Sequence, residues 1–214
     1  MFDEALKLNV NIAGFSYHVG SQLNDLEPFI TAATKTLKLM ERMETKYGIT
    51  FKYLDFGGGF PVPYLEPVIT VNTIAEQLNT IFTPYLNRYT FIGEPGRSVV
   101  GESMTVFSTV VNITKRGKTR WVFMDEGIYG SYSNIPSEHV HPLIIPVNNQ
   151  SVEERKPTVL SGPTCDSVDI IEADIPLLKL HIGDVLVSPN MGAYTTVTSS
   201  LFNNLPIAPI FVLK

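Results

Sequence analysis

The chain has 214 residues, of which 44% are hydrophobic, and this is enough for one well-buried core or for a partial barrel with a small second domain. A formal net charge of −5 argues against a nucleic-acid partner, and no apolar run approaches the roughly 20 residues of a membrane span. The only cysteine, Cys165, excludes an internal disulfide and predicts a reducing, cytoplasmic location.

The first hundred residues repeat one pattern, in which an apolar run ends in small or polar residues and is followed by helical spacing. The predicted strands are Val10–Tyr17, Phe51–Phe56 and Tyr89–Gly93, and the predicted helices are Phe29–Tyr47 and 73–86. Strand, polar tip and helix in repetition predict a parallel α/β structure, in which the loops after the strands build the site.

After residue 100 the pattern changes to short apolar runs separated by turn residues. The predicted strands are Thr105–Thr114, Arg120–Met124, Pro157–Leu160, Asp184–Val187 and Ile207–Leu213. We therefore predict two domains, an α/β domain over residues 1–100 and an antiparallel β domain over residues 101–214.

Chemically useful side chains follow each predicted parallel strand. The run Gly57-Gly58-Gly59 lets backbone N–H groups approach a phosphate, although a plain tight turn is the alternative. Glu94 could hold a protonated ring nitrogen and Arg97 a phosphate, unless the two simply form an ion pair. His18 and Ser21 place a titratable ring and a hydroxyl at another tip, where a structural histidine is the commoner case.

The second half carries its candidates in loops. Cys165 lies beside Asp166 in a loop rich in Gly and Pro, so it is either a catalytic acid or nucleophile or a buried structural thiol. Tyr129 and Tyr194 lie in glycine-containing loops, where packing is the usual role of tyrosine. His139 and a second histidine two residues later lack a third ligand at usable spacing, so no metal site is predicted.

Six segments in this order resemble the fold-type III decarboxylases, the pyridoxal-phosphate-dependent family of ornithine, lysine, arginine and diaminopimelate decarboxylases. They are Tyr17–Ser21, Asp55–Phe60, Gly93–Arg97, Ile128–Ser131, Gly162–Asp169 and Met191–Thr195. The resemblance implies the last three βα units of a TIM-like (β/α)8 barrel, followed by a C-terminal antiparallel β domain.

The resemblance also implies a role for each candidate. Glu94 looks like the partner of the pyridine nitrogen, and His18 would stack on the face of the ring. The remaining cofactor-binding positions, most of them around the phosphate, would be Ser21, Gly58, Gly59, Pro95, Gly96, Arg97 and Tyr194.

On the substrate side, Cys165 is similar to the family's proton donor, and Asp166 would hold the distal cationic end of the substrate. Tyr129 and Glu138 would also contact the substrate, and in this family the cysteine loop acts across a head-to-tail dimer. The Cys165–Asp169 sequence resembles the form found in enzymes acting on basic amino acids. This form favours ornithine, lysine or arginine, and ornithine is the first choice because it is the commonest substrate in the family. Arginine is the second, because Glu138 stands where ornithine enzymes usually carry aspartate and some arginine-preferring relatives carry glutamate.

The lysine that bonds covalently to the cofactor in this family is expected to lie before Met1, since the resemblance begins only near the sixth barrel strand. Three alternatives follow: a fragment or split enzyme that needs an N-terminal half, a non-catalytic regulatory partner of a full-length decarboxylase, or a free-standing module. The retained motif residues argue against the last. We expect a homodimer or a heteromer with such a half or full-length enzyme. We also expect the chain alone to be poorly soluble or to oligomerise through the barrel remnant, because barrel edges are exposed.

Overall fold

The computed structural model describes residues 2–138, 140–147 and 155–213. The chain divides into two compact units, here called the first unit (Met1–Pro61 with Val68–Ser98) and the second unit (Val62–Pro67 with Val99–Lys214). The predicted single boundary near residue 100 did not anticipate the short Val62–Pro67 excursion. That excursion belongs to the second unit because Val62 and Tyr64 are buried in its apolar core.

The first unit contains a three-stranded parallel sheet in the order β1-β2-β3, with Phe15 beside Leu54 and Leu54 beside Phe91. Its elements are α1 (Phe2–Lys7), β1 (Gly14–Ser16), α2 (Glu27–Tyr47), β2 (Tyr53–Asp55), α3 (Val71–Phe82), β3 (Thr90–Ile92) and, crossing into the second unit, α4 (Arg97–Val100). The strands are shorter than the apolar runs that predicted them, although backbone hydrogen bonds continue past their ends: the Tyr17 N–H donates to the Asp55 carbonyl at 3.0 Å, and the Phe56 N–H donates to the Ile92 carbonyl at 2.9 Å.

Helices α2 and α3 cover the sheet with apolar faces whose spacing the sequence already shows. The buried positions of α2 recur every three or four residues and are Phe29, Ala33, Leu37 and Met40. Gly48 ends α2 in the left-handed conformation, and the Thr70 hydroxyl begins α3 by accepting the Thr73 N–H at 3.1 Å. Within the described ranges, no helix has both the length and the apolar character needed to cross a membrane.

The second unit is built on a six-stranded sheet in the order β6-β9-β4-β5-β7-β8. Its elements are β4 (Val106–Arg116), β5 (Thr119–Met124), α5 (Asn134–Glu138), β6 (Ile145–Pro146), β7 (Lys156–Ser161), β8 (Ile170–Leu177) and β9 (Val185–Ser188). The predicted antiparallel pairing is found between β4 and β5, β4 and β9, β6 and β9, and β7 and β8, but β5 and β7 run parallel, which the prediction of an antiparallel domain did not anticipate. The connection between them is long and contains α5, which is what a parallel crossover requires.

The predicted strands of the second unit also differ from the structure in other places. Ile207–Leu213 was predicted as a strand, but it forms none, and Leu213 is 96% exposed. An apolar run predicts burial, whereas a strand also needs a neighbouring edge to hydrogen-bond with. Conversely, β8 was missed because Glu172, Asp174 and Pro176 interrupt its apolar pattern.

Candidate functional site

The ends of the three parallel strands are joined to one another by hydrogen bonds. The Gly58 N–H donates to His18 Nδ1 at 3.1 Å, and the Glu94 N–H donates to the Gly57 carbonyl at 2.8 Å. We call His18, Gly57–Gly59 and Glu94 the strand-end cluster. Residues predicted from three separate strand ends are therefore close together, as the parallel topology requires.

Glycine is needed in this cluster because other main-chain segments approach it closely. A Cβ on Gly58 would lie 2.7 Å from the Glu94 carbonyl oxygen, and one on Gly59 would lie 2.5 Å from the Gly20 carbonyl oxygen. A Cβ on Gly57 would overlap the Tyr17 carbonyl oxygen, and Gly57 also has a φ of 66°. Close-packed glycine backbone at the ends of parallel strands fits the binding of a phosphate group.

The charged residues of this region differ in burial. Arg97 begins α4 and is only 4% exposed, whereas Glu94, Pro95 and Gly96 before it are exposed. A buried guanidinium requires hydrogen-bond acceptors or a counter-charge. Arg97 therefore has a structural role and is also a candidate for binding a phosphate.

The remaining predicted residues near the strand ends are His18 and Ser21, and both are exposed. Tyr17, which precedes His18, is half-buried. Burial, with a smaller contribution from the Asp55 carboxylate, raises the pKa of Tyr17 to about 12.

Tyr194 belongs to the second unit, in the loop that follows β9. Its φ is 54° and its side chain is 41% exposed, while the neighbouring Thr195 hydroxyl donates to the Met191 carbonyl at 2.7 Å. The loop thus holds Tyr194 in an uncommon backbone conformation with its ring at the surface. Its predicted contact with a cofactor phosphate stays a prediction.

A second group of predicted residues meets within the second unit. The Tyr129 hydroxyl donates to the Asp166 carboxylate, and the ring of Phe202 stacks on that of Tyr129 with centroids 4.3 Å apart. The Asn203 side chain donates through Nδ2 to Cys165 Sγ at 3.4 Å. We call these five residues the cysteine cluster.

The hydrogen bond between Tyr129 and Asp166 shifts both groups. It is the main reason that the pKa of Asp166 falls below its usual 3.8 and that the pKa of Tyr129 rises above 10.0. Asp166 is therefore a carboxylate over the whole neutral range, which suits a group expected to bind a cation.

Asp169 lies within the segment Gly162–Asp169, but the sequence pattern predicts no role for it. In the structure its carboxylate organises the loops of the cysteine cluster. It is fully buried, and its carboxylate accepts the Ile128 N–H at 2.9 Å. It also accepts the Thr164 N–H at 3.0 Å and the Thr164 hydroxyl at 2.7 Å. An acid directly before the apolar start of β8 is the only signal that the sequence offers for this role.

Phe202 and Asn203 were missed altogether. They lie about 40 residues beyond Cys165 in the chain, and no motif or periodicity connects them to it. Only the tertiary fold brings the turn that carries them onto the cysteine loop.

Glu138 is the last residue of α5 and is half-buried, and its expected role toward substrate stays a prediction. His139 lies outside the described residues. Among the residues that are described, no group of three or more His, Cys, Asp or Glu side chains could hold a metal ion.

The described lysines of the first unit lie on helices or before a strand, and none directly follows one of the strand ends that form the strand-end cluster. Lys7 ends α1, three others lie on α2, and Lys52 directly precedes β2, at the opposite end of that strand from Gly57.

Residues 2–101 match the family described as "Pyridoxal-dependent decarboxylase, pyridoxal binding domain". The class of protein that the first unit defines is therefore a pyridoxal-phosphate-binding domain, and pyridoxal phosphate is the family's cofactor. The chain belongs to the fold-type III pyridoxal-phosphate-dependent decarboxylases, the family of ornithine, lysine and arginine decarboxylases.

Two curated relatives cover nearly the whole chain. Lysine/ornithine decarboxylase of Selenomonas ruminantium is 31% identical over 206 residues, which are 94% of this chain and 50% of the relative. Antizyme inhibitor 2 of Xenopus laevis is 31% identical over 231 residues, covering 98% of this chain and 49% of the relative. The chain thus spans about half the length of the curated relatives it matches.

Two solved structures show the same likeness. Lysine/ornithine decarboxylase from Vibrio vulnificus, complexed with cadaverine, matches with a TM-score of 0.87 and 33% identity over 96% of this chain and 56% of that chain. Arginine decarboxylase of Paramecium bursaria Chlorella virus, bound to agmatine, matches with a TM-score of 0.80 and 29% identity over 94% of this chain and 54% of that chain.

Proposed function

We propose that this chain supplies part of a pyridoxal-phosphate-dependent decarboxylase that acts on a basic amino acid, with ornithine as the first choice of substrate. The observation that carries the proposal is the strand-end cluster, where Gly58 hydrogen-bonds to His18 and Glu94 to Gly57. The first unit would then be the last three βα units of a barrel, with the other strands supplied by further polypeptide.

The cofactor would be held mainly by groups of the first unit. Gly58, Gly59 and Arg97 would bind its phosphate, and Ser21, Pro95, Gly96 and Tyr194 complete the predicted set. Glu94 would bind the ring nitrogen and His18 the face of the ring. Once bound, the cofactor withdraws electrons from the α-carbon of the amino acid, which lets carbon dioxide leave.

The second unit would supply the groups that act on the substrate. Cys165 would donate a proton to the carbon that loses carbon dioxide, since an exposed thiol on a loop can reach a reacting atom. Asp166 would bind the distal cation, which is supported by its lowered pKa. In a head-to-tail dimer or heteromer, Cys165 and Asp166 would complete the site of the neighbouring subunit.

Glu138 bears on the choice among ornithine, lysine and arginine. Its carboxylate is one methylene longer than the aspartate usual in ornithine enzymes, so it favours a substrate whose cation lies at a different distance. The matched relatives include lysine/ornithine and arginine decarboxylases, which keeps lysine and arginine as alternatives.

The first test is an absorbance spectrum of the purified chain with pyridoxal phosphate, before and after borohydride, followed by mass spectrometry for a reduced lysine adduct. We expect no stoichiometric lysine adduct in this chain. Stoichiometric labelling of one lysine would show that the covalent lysine is present after all.

The second test adds the N-terminal half of a relative and measures carbon dioxide release from ornithine, lysine and arginine separately. Carbon dioxide release that depends on both halves, together with formation of the amine product that falls in Cys165→Ala, supports the proposal. A reconstituted heteromer that binds the cofactor and releases no carbon dioxide from any of the three would refute it.

A regulatory partner is the second candidate, and the likeness to antizyme inhibitor 2 supports it. The chain would then associate with an intact decarboxylase. Size-exclusion chromatography of the mixture, with assays of the intact enzyme at rising chain concentration, distinguishes the two functions. A stable heteromer with changed activity favours regulation.

A further inference from the structure

The turn Phe202–Asn204 is tied to the cysteine loop by a closed ring of contacts. Phe202 stacks on Tyr129, Tyr129 donates to Asp166, and Asp166 is the chain neighbour of Cys165. The ring closes where Asn203 contacts Cys165 Sγ. Ser200 anchors the start of the turn, because its N–H donates to the Tyr129 carbonyl at 2.8 Å.

The backbone of the turn sets the direction of the Asn203 side chain. Asn203 has a φ of 56° and Asn204 a φ of 57°, so two consecutive residues are left-handed. Asparagine accepts this conformation better than most side chains do. Only the first of the two has its amide on the sulfur of Cys165.

The amide of Asn203 offers the sulfur both a donor and an acceptor. Nδ2 lies 3.4 Å from Cys165 Sγ, and Oδ1 lies 3.8 Å from it. A protonated thiol can donate to Oδ1, and a thiolate can accept from Nδ2. A neutral group with both functions can remain in contact with the sulfur before and after a proton leaves it.

We propose that Asn203 is the positioning residue for the Cys165 thiol, and that its Nδ2–H, the nearer of the two amide groups, favours the ionised sulfur. The inference rests on the proposed function only in giving that thiol a proton to transfer. The contact itself is made within one chain.

Alkylation of the full chain by iodoacetamide tests the proposal, because Cys165 is the only cysteine and the thiolate is the reacting form. The rate is measured across pH. Its plateau at high pH reports access to the sulfur, and the pH of half-plateau reports how well the thiolate is stabilised.

We expect the half-plateau pH to rise by about 0.5–1 unit in Asn203→Ala, the effect of losing one partly solvated hydrogen bond to a charged atom. Asn203→Gly should show the same rise, because it removes the amide while relieving the left-handed backbone. Asn203→Asp should raise the half-plateau pH further, since a carboxylate repels a thiolate.

Asn204→Ala is the matched control, since it changes the same residue type at nearly the same φ in the same turn. Its half-plateau pH should equal that of the unmodified chain. A half-plateau pH unchanged in both Asn203→Gly and Asn203→Asp, in chains with unaltered circular dichroism, would overturn the proposal. Because no decarboxylation is measured, this result is separate from any failure of the proposed function.

Discussion

The strand-end cluster and the cysteine cluster are built on different physical principles. The first is made mainly of main chain, with glycine at the points where other backbone segments come within contact distance. The second is made of side chains on loops, where Tyr129, Asp166 and Asn203 form hydrogen bonds near the surface. The buried Asp169 carboxylate fixes these loops by accepting hydrogen bonds from their backbone.

The two clusters should therefore tolerate different kinds of substitution. A cluster made of close-packed backbone fails when atoms are added, since nothing nearby can move aside. A cluster made of polar side chains fails when a partner is removed, since the remaining group loses its hydrogen bond.

Gly57→Ala should be the most damaging single change. The added methyl would overlap the Tyr17 carbonyl at a φ of 66°, so we expect the free energy of unfolding to fall by about 3–5 kcal/mol from strain and overlap together. Urea denaturation followed by circular dichroism measures the loss.

Gly48→Ala is the matched control for Gly57→Ala. Gly48 has a nearly identical φ of 64° at the end of α2, but an added Cβ would meet nothing within 4 Å. We expect a loss of only about 1 kcal/mol. Equal losses in the two variants would show that backbone conformation, rather than close approach, governs the strand-end cluster.

Much of this contrast could be foreseen from the sequence, and the reason lies in chain distance. The three strand ends were predicted to meet because consecutive parallel strands place their carboxyl ends at one edge, a rule that needs only local patterns. The resemblance assigned Tyr129 and Asp166 to the substrate but did not predict the hydrogen bond between them. Asn203 and the parallel β5–β7 pair depend on tertiary contacts that no local pattern specifies.

Asp169→Ala should cost the second unit about 2–4 kcal/mol. It removes the acceptor of two main-chain N–H groups, those of Ile128 and Thr164, from a fully buried position. Unfolding in urea measures the loss, and Asp174→Ala on the exposed side of β8 is the control, with an expected change within about 0.5 kcal/mol. A small loss in both would mean that water replaces the Asp169 carboxylate without penalty.

Tyr17→Phe should change stability only at alkaline pH. The pKa of Tyr17 is about 12 in the folded chain and about 10 when unfolded, so stability is intact below pH 10 and is lost as pH rises toward 12. Removing the hydroxyl should recover on the order of 1 kcal/mol at pH 11.5, after allowance for partial exposure. Denaturation at pH 8 provides the baseline. Identical pH profiles of stability in Tyr17→Phe and the parent chain would show that burial does not raise the pKa of Tyr17.

Tyr129→Phe should have the smallest effect on stability, because the Tyr129–Asp166 pair is only half-buried and water can replace the lost hydrogen bond. Its consequence is electrostatic: without the hydroxyl donor, the pKa of Asp166 should rise toward its usual 3.8. A depressed carboxyl pKa adds stability above the unfolded pKa and loses it as pH falls, so the variant should differ from the parent chain mainly at neutral pH. Carbon-13 NMR titration of the Asp166 carboxyl group measures the shift directly.

Phe202→Leu is the control, because it keeps the Tyr129 hydroxyl and removes only the stacked ring. It should leave the Asp166 titration unchanged. If it moves the titration as far as Tyr129→Phe does, the stacking contact, and not the hydrogen bond, holds the cysteine cluster together.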